Sequence, residues 1–200
     1  GESLNLSVKT NEKNHRVTTL STRYPKPLIS RYKFIKGFEN GNLDFQSIKK
    51  DGKSHSTLII DNFKVREVPV LAKLLTLASL QGIADLLTGD GIRFTDFEMK
   101  FTNESSLMEI QEIYAIGPAI SLLMGGYVEQ DKITSLKGTL VPATTINRTI
   151  SSIPLIGDIL VGKKVGEGVF GVSFKIKGPP KKLKTTVNPV KTLTPRFITR

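Results

Sequence analysis

The stretch FGVSFKIK, residues 170–177, decides the fold class of this 200-residue chain. Its apolar side chains at Phe170, Val172, Phe174 and Ile176 alternate with small or charged ones. A period of two is typical of a strand with one apolar face and one solvated face. Similar short runs, separated by turn residues, fill most of the remaining sequence. We therefore predict a mainly β protein with an antiparallel sheet.

Working outward, the alternation and the turn residues predict further strands. They fall near residues 57–66, 92–101, 106–116, 118–129 and 133–141. The dipeptides Asn40-Gly41 and Asp51-Gly52 are typical of hairpin turns and predict another strand between them. The alternation slips between Phe94 and Phe97, so we predict a β-bulge at Thr95-Asp96 that keeps both side chains on one face.

Residues 69–88 are the one strongly helical segment. The apolar positions before Gly82 and those after it lie on opposite sides of a single helical wheel. We therefore predict two short helices that break at Gln81-Gly82, the second ending at Gly89. The pair would cap the end of an open sheet or lie on a membrane surface. We predict that residues 143–161 form a loop with short helical turns.

The charge is unevenly distributed: 29 Lys and Arg against 18 Asp and Glu give +11. Net charges are +6 for residues 1–57, −4 for 58–162 and +9 for 163–200. A basic surface suits nucleic acid, anionic lipid head groups or plain solvent. In residues 170–177, however, the aromatic side chains alternate with the lysines and face away from them. We therefore expect no nucleic acid partner.

The sequence offers little for catalysis, so we expect no enzyme, no cofactor and no metal. It contains no cysteine and only two histidines, His15 and His55. The GEGVFG run at 166–171 matches a kinase glycine-rich loop, yet no Asp or Glu follows Gly171 to hold Mg²⁺. No signal peptide is evident at the start, and no stretch is apolar and long enough to span a bilayer as a helix.

From residue 58 onward the sequence resembles the C-terminal region of AsmA-like envelope proteins of Gram-negative bacteria, the YhdP/TamB type. The stretches that carry the resemblance are IDNFKVR (60–66), VPVLA (68–72), LTGDGIRF (87–94), LKGTLVPA (136–143) and IPLIGDIL (153–160). The resemblance covers about 140 residues in matching order, whereas residues 1–57 resemble no named family.

The resemblance implies a fold and a function. The fold would be a strongly twisted or curved sheet forming an open groove or half-barrel, with short helices near 69–88 and 143–161. Residues 1–190 would form one β-groove domain, of which 58–190 is the AsmA-like module, followed by a basic tail at 191–200. The implied function is non-enzymatic: phospholipid acyl chains move along the groove toward the outer membrane. The location would be the periplasm, as part of a longer protein anchored in the inner membrane.

The apolar faces of the strands supply the candidate lining of such a groove. These candidates are Phe94, Phe97, Met99, Phe101, Ile120, Leu122, Met124, Phe170, Val172, Phe174 and Ile176. Each would serve equally well in a closed core. The expected partner is a phospholipid or another acyl lipid, with possible membrane contact through residues 69–88 and the basic tail. The alternative function is a basic scaffold that binds an anionic polymer or partner protein through the chain from Lys163, including Lys181, Lys182 and Lys184.

Overall fold

The computed structural model describes residues 3–31, 35–142 and 171–190, with side chains to residue 188 in the last range. These residues form ten strands and three helices. The strands are β1 (Leu4–Thr10), β2 (Arg16–Thr22), β3 (Lys36–Lys50), β4 (Lys53–Arg66), β5 (Ile92–Glu104), β6 (Leu107–Ile116), β7 (Ile120–Glu129), β8 (Ile133–Pro142), β9 (Gly171–Gly178) and β10 (Lys184–Val190). The helices are α1 (Lys26–Ile29), α2 (Pro69–Leu77) and α3 (Gln81–Thr88).

All ten strands belong to one antiparallel sheet, and their order in the sheet is their order in the chain. Each strand pairs with the next described strand along the sequence, as in a meander. Strands β1 and β10 lie at its two edges and do not pair with each other within the described ranges. The predicted mainly β, open and antiparallel architecture is confirmed.

The two predicted hairpin turns have different outcomes. Asp51 and Gly52 form the turn between β3 and β4, with φ of 48° and 81°. Asn40 and Gly41 do not form a turn but lie inside β3, with φ of 62° and 95°. Pairing with β4 continues on both sides of these two residues. Their left-handed conformation therefore rotates β3 about its axis instead of closing a hairpin.

The predicted change of phase between Phe94 and Phe97 is present, but a bulge at Thr95-Asp96 does not cause it. The register between β4 and β5 is the same on both sides, with Phe94 opposite Phe63 and Phe97 opposite Ile60. Strand β4 changes phase at the same level, where Asn62 has a φ of 53°. Because neighbouring strands rotate together, the sheet twists there without an extra residue on either strand.

The two helices predicted within residues 69–88 are confirmed, and α3 ends at Gly89 as expected. The break lies at residues 78–80, just before the predicted position, where Ser79 has a φ of 58°. Helix α2 contacts β10 and α3 contacts β4. The pair buries Leu71, Leu74, Leu75, Ala84 and Leu87 in the same apolar cluster as strand residues. The helices therefore cover one end of the sheet's apolar face.

A group of four phenyl rings, three of them buried and Phe97 half-buried, packs together on the apolar side of the sheet. The Phe63 ring is stacked on Phe38 and on Phe94, with a centroid distance of 5.4 Å in each case. Phe97 meets Phe63 edge-on at 6.2 Å and 84°. Offset stacking and edge-to-face contact are the favourable arrangements of aromatic pairs. The change of phase matters because it allows Phe94 and Phe97 to reach the same ring.

Several predictions fall on residues outside the described ranges, namely the helical turns at 143–161, Phe170 and the basic tail at 191–200. Among the residues that the structure does describe, no helix has the length and apolar character needed to cross a membrane.

Candidate functional site

The register brings apolar side chains into two rows that cross the sheet at right angles to the strands. One row contains Leu4, Leu43, Ile60, Phe97, Ala115, Leu122, Leu140 and Val172, interrupted by Thr22 on β2. The other contains Leu6, Leu20, Phe45, Leu58, Met99, Ile113, Met124, Gly138, Phe174 and Val187, one residue from each strand. Neighbouring strands lie about 4.8 Å apart, so a ten-strand row is about 43 Å long. We call this side of the sheet the apolar face.

The middle of the apolar face is only partly covered. Its half-buried side chains, which we call the apolar trough, are Phe45, Leu58, Phe97, Met99, Phe101, Leu122, Met124 and Leu136. Toward β1 the face is open to solvent, with Leu4, Leu6 and Val8 exposed by 50%, 60% and 55%. A contiguous apolar surface of this kind marks a contact site for a partner or a ligand.

The end of the face beneath the helices is closed. Ile120 and Leu140 are 0% and 1% exposed, and Leu75 and Leu87 of the helices are fully buried. On β9, Val172, Phe174 and Ile176 are buried as well. Gly138 is required there, because a Cβ at this position would clash with the backbone oxygen of Leu123 and would lie 2.6 Å from the tip of the Phe174 ring. This end is therefore a packed core.

The predicted lining residues divide between these two environments. Buried in the core are Phe94, Ile120, Val172, Phe174 and Ile176; half-buried in the apolar trough are Phe97, Met99, Phe101, Leu122 and Met124. The register places the latter five on one face, as the alternation predicts. Whether they contact lipid stays a prediction.

The part of the apolar face that the first four strands contribute was not predicted from the sequence. Leu6, Leu20, Phe45 and Leu58 occupy the same row as Met99. The alternating run LNLSV at residues 4–8 was the available signal. Its apolar side chains belong to the same surface as those of β5, although about 90 residues separate them in the chain.

The opposite side of the sheet, which we call the polar face, has a different chemistry. A hollow of about 640 Å³ lies over β1–β4, and its lining includes Asn5, Ser7, Thr19, Asp44 and Gln46 of this face. The hydroxyl and amide groups of these residues suit water better than an acyl chain. Leu4, Leu6, Leu20 and Phe45 of the apolar face also border the hollow, so it is not separate from the apolar trough, which includes Phe45.

Three aspartates approach one another on the polar face. Asp61 lies directly opposite Asp96 on the neighbouring strand, and Asp44 is nearby on β3. Partial burial raises the pKa of Asp61 above its ordinary value, and the charges of Asp96 and Asp44 raise it further. Like charges directly opposite each other in a sheet are destabilising. Ionised Asp61 thus opposes folding.

We expect Asp61→Asn to stabilise the protein at neutral pH by about 0.2–1 kcal/mol, raising Tm by about 1–3 °C. Because the folded-state pKa is raised, the wild type is favoured while Asp61 is protonated and loses stability as pH rises through that pKa. The gain from Asp61→Asn should therefore vanish below the pKa of an unfolded aspartate, about 3.9. Thermal unfolding of the wild type and of Asp61→Asn, at pH 7 and near pH 3, measures the gain in Tm under each condition.

Asp131→Asn is the matched control for this prediction. Asp131 is exposed in the turn between β7 and β8, at a φ of 57° that asparagine adopts readily. The Tm of the Asp131→Asn variant should differ little from that of the wild type at either pH. A gain for Asp61→Asn that persists at low pH would contradict the electrostatic explanation.

His55 and Tyr114 are two further titratable groups of the sheet. His55 is exposed on the polar face, whereas its neighbour Ser56 faces the other way and donates a hydrogen bond to Ser47 Oγ at 2.9 Å. Burial raises the pKa of Tyr114, and the charges of Asp96, Glu112 and Glu98 add to this effect. No group of three or more His, Cys, Asp and Glu suited to a metal ion occurs among the described residues.

No family model, curated protein or solved structure matches the chain. The resemblance to AsmA-like proteins therefore stays a prediction, and the function must be argued from the geometry of the sheet.

Proposed function

We propose that this protein is a non-enzymatic lipid-binding or lipid-transfer module whose apolar trough holds phospholipid acyl chains. The observation that carries the proposal is the row of ten residues from Leu6 to Val187, which crosses the whole sheet without a polar side chain. Many of these side chains are half-buried or exposed, so they gain contacts when an apolar ligand covers them.

The dimensions and energetics support an acyl ligand. One leaflet accounts for half of the roughly 30 Å hydrocarbon core of a bilayer, so one acyl chain fits well within the length of the trough. Each CH₂ group removed from water contributes about 0.8 kcal/mol. Within the apolar trough, the row from Phe45 on β3 to Met124 on β7 also offers successive positions of similar chemistry, which would let a chain slide from one strand to the next. The head group would remain in water.

The open edge at β1 and the covered end beneath the helices suggest where a lipid enters the apolar face. Leu4, Leu6 and Val8 on β1 leave the face open to solvent at one edge, whereas α2 and α3 cover it at one end of the strands. We propose that lipid enters or leaves on the open side. A periplasmic location, within a protein that carries phospholipid toward the outer membrane, is the setting that the resemblance to AsmA-like proteins implies.

The first test is whether the purified protein retains lipid. We expect native mass spectrometry to detect adducts with phospholipid masses, and solvent extraction to release the same lipids. Protein that is stripped by delipidation should take up phospholipid again from detergent micelles. A folded protein that carries no lipid after purification and takes none up after delipidation would contradict the proposal.

A further inference from the structure

The polar face of the last three strands carries a group of exposed lysines. Lys137 on β8 lies directly opposite Lys175 on β9, and Lys177 on β9 lies directly opposite Lys184 on β10. We call these four residues the lysine face. Like charges in directly opposite positions are destabilising. Two such pairs on adjacent strands therefore concentrate positive potential on one surface.

Strands β9 and β10, which carry three of the four lysines, contain no acidic residue. Residues 171–190 contain five lysines and neither Asp nor Glu, and Lys181 and Lys182 in the turn after β9 add to the charge. Ion pairs among the described residues involve lysines elsewhere, such as Lys36, Lys64 and Lys100, and none of the lysine face. Within the described ranges, these four ammonium groups therefore form no ion pair and can meet an external anion.

The composition of the surface indicates the kind of anion. The other polar-face residues of β9 and β10 are small or neutral, including Ser173, Thr186 and Asn188, and none is aromatic or arginine. Recognition of single-stranded nucleic acid uses aromatic platforms, and bidentate recognition of phosphate uses arginine. Flexible lysines spread over the plane of a sheet instead suit a broad surface of many equivalent negative charges.

We propose that the lysine face docks the protein onto the anionic phospholipid head groups of a bilayer. The proposal deepens the proposed lipid-binding function, on which it rests, by naming the surface that meets the membrane. Strand β9 serves both roles: Val172, Phe174 and Ile176 contribute to the apolar face, and Lys175 and Lys177 to the lysine face. Docking would place this covered edge of the sheet at the membrane and leave the open edge at β1, on the other side of the sheet, for lipid entry or exit.

The test measures binding of the intact chain to sedimented vesicles. One set is phosphatidylcholine alone, and in the other about a third of the lipid is phosphatidylglycerol. A lysine near an anionic surface contributes roughly a fivefold factor to partitioning, so neutralising four should weaken binding by on the order of 10²–10³-fold. The test variant is Lys137→Gln, Lys175→Gln, Lys177→Gln and Lys184→Gln combined.

The control variant makes the same charge change elsewhere: Lys9→Gln, Lys13→Gln, Lys49→Gln and Lys50→Gln, all exposed on or near the first three strands. We expect it to bind anionic vesicles within a fewfold of the wild type. Binding by the wild type should need phosphatidylglycerol and decline with salt. Equal losses in the two variants would overturn the proposal, because net charge alone would then explain the binding.

Two further measurements separate this proposal from its alternatives. Duplex DNA that displaces the protein from anionic vesicles, with affinity dependent on the lysine face, would overturn the membrane assignment in favour of a polyanion. The lipid content of the lysine-face variant, measured by extraction, should equal that of the wild type. Lipid-free wild-type protein that still docks on vesicles through these lysines would refute the proposed function but support the docking surface.

Discussion

Replacing Met124 by glutamate should remove most of the lipid that copurifies with this protein, by about tenfold or more. Met124 is half-buried in the middle of the apolar trough, opposite Ile113 on one side and Gly138 on the other. A carboxylate there would be dehydrated wherever an acyl chain covers it, which is strongly unfavourable without a partner. The measurement is lipid recovered per mole of folded protein.

Leu123→Glu provides a closely matched control. Leu123 is the preceding residue on β7, is also half-buried, and has its side chain on the polar face. Both variants gain the same charge on the same strand, so circular dichroism and Tm should show similar costs to folding. Only Met124→Glu should lose lipid. Equal lipid content in the two variants would place the ligand somewhere other than the apolar trough.

Phe63→Ala should cause the largest loss of stability among single truncations in the phenyl group. Phe63 is 6% exposed and contacts Phe38, Phe94 and Phe97. Truncating a buried phenylalanine costs about 3–5 kcal/mol, through lost burial and the cavity left behind. For a chain of this length that corresponds to a fall in Tm of about 6–20 °C. Differential scanning calorimetry measures it directly.

Ile59→Ala tests whether this effect belongs to the phenyl group. Ile59 lies on the same strand but on the polar face and is 37% exposed. Its truncation should lower stability by about 1–2 kcal/mol, less than for Phe63→Ala, since more than a third of its surface already contacts water in the folded state. A similar fall in Tm for both variants would show that β4 responds to any truncation and that the stacked rings have no special role.

The alternating pattern allowed most strands to be predicted, because a period of two is a local property of the chain. Strands β5 to β9 lie close to their predicted positions, and the pair of helices is confirmed. The Asn40-Gly41 hairpin was wrong for a physical reason. The left-handed conformation of Asn40 is compatible with a turn or with a twist in a long strand, and only pairing with β4 distinguishes them.

The candidate site was predicted in part. Alternation assigned Phe97, Met99 and Met124 to one face, but it could not distinguish them from Phe94 and Phe174, which are buried. That difference depends on what packs over each side chain. Helix α2 contacts β10, the last strand, although more than 100 residues separate them in sequence.

The sequence by itself determined the mainly β class, the two helices and the apolar side of β5, β7 and β9, because each depends on residues a few positions apart. The tertiary structure decided which apolar side chains are covered and which remain open, and it paired the lysines of β8, β9 and β10. The physical reason is that coverage and charge pairing depend on the register between strands and on helices folding back over the sheet. Those contacts form between distant residues and leave no local pattern.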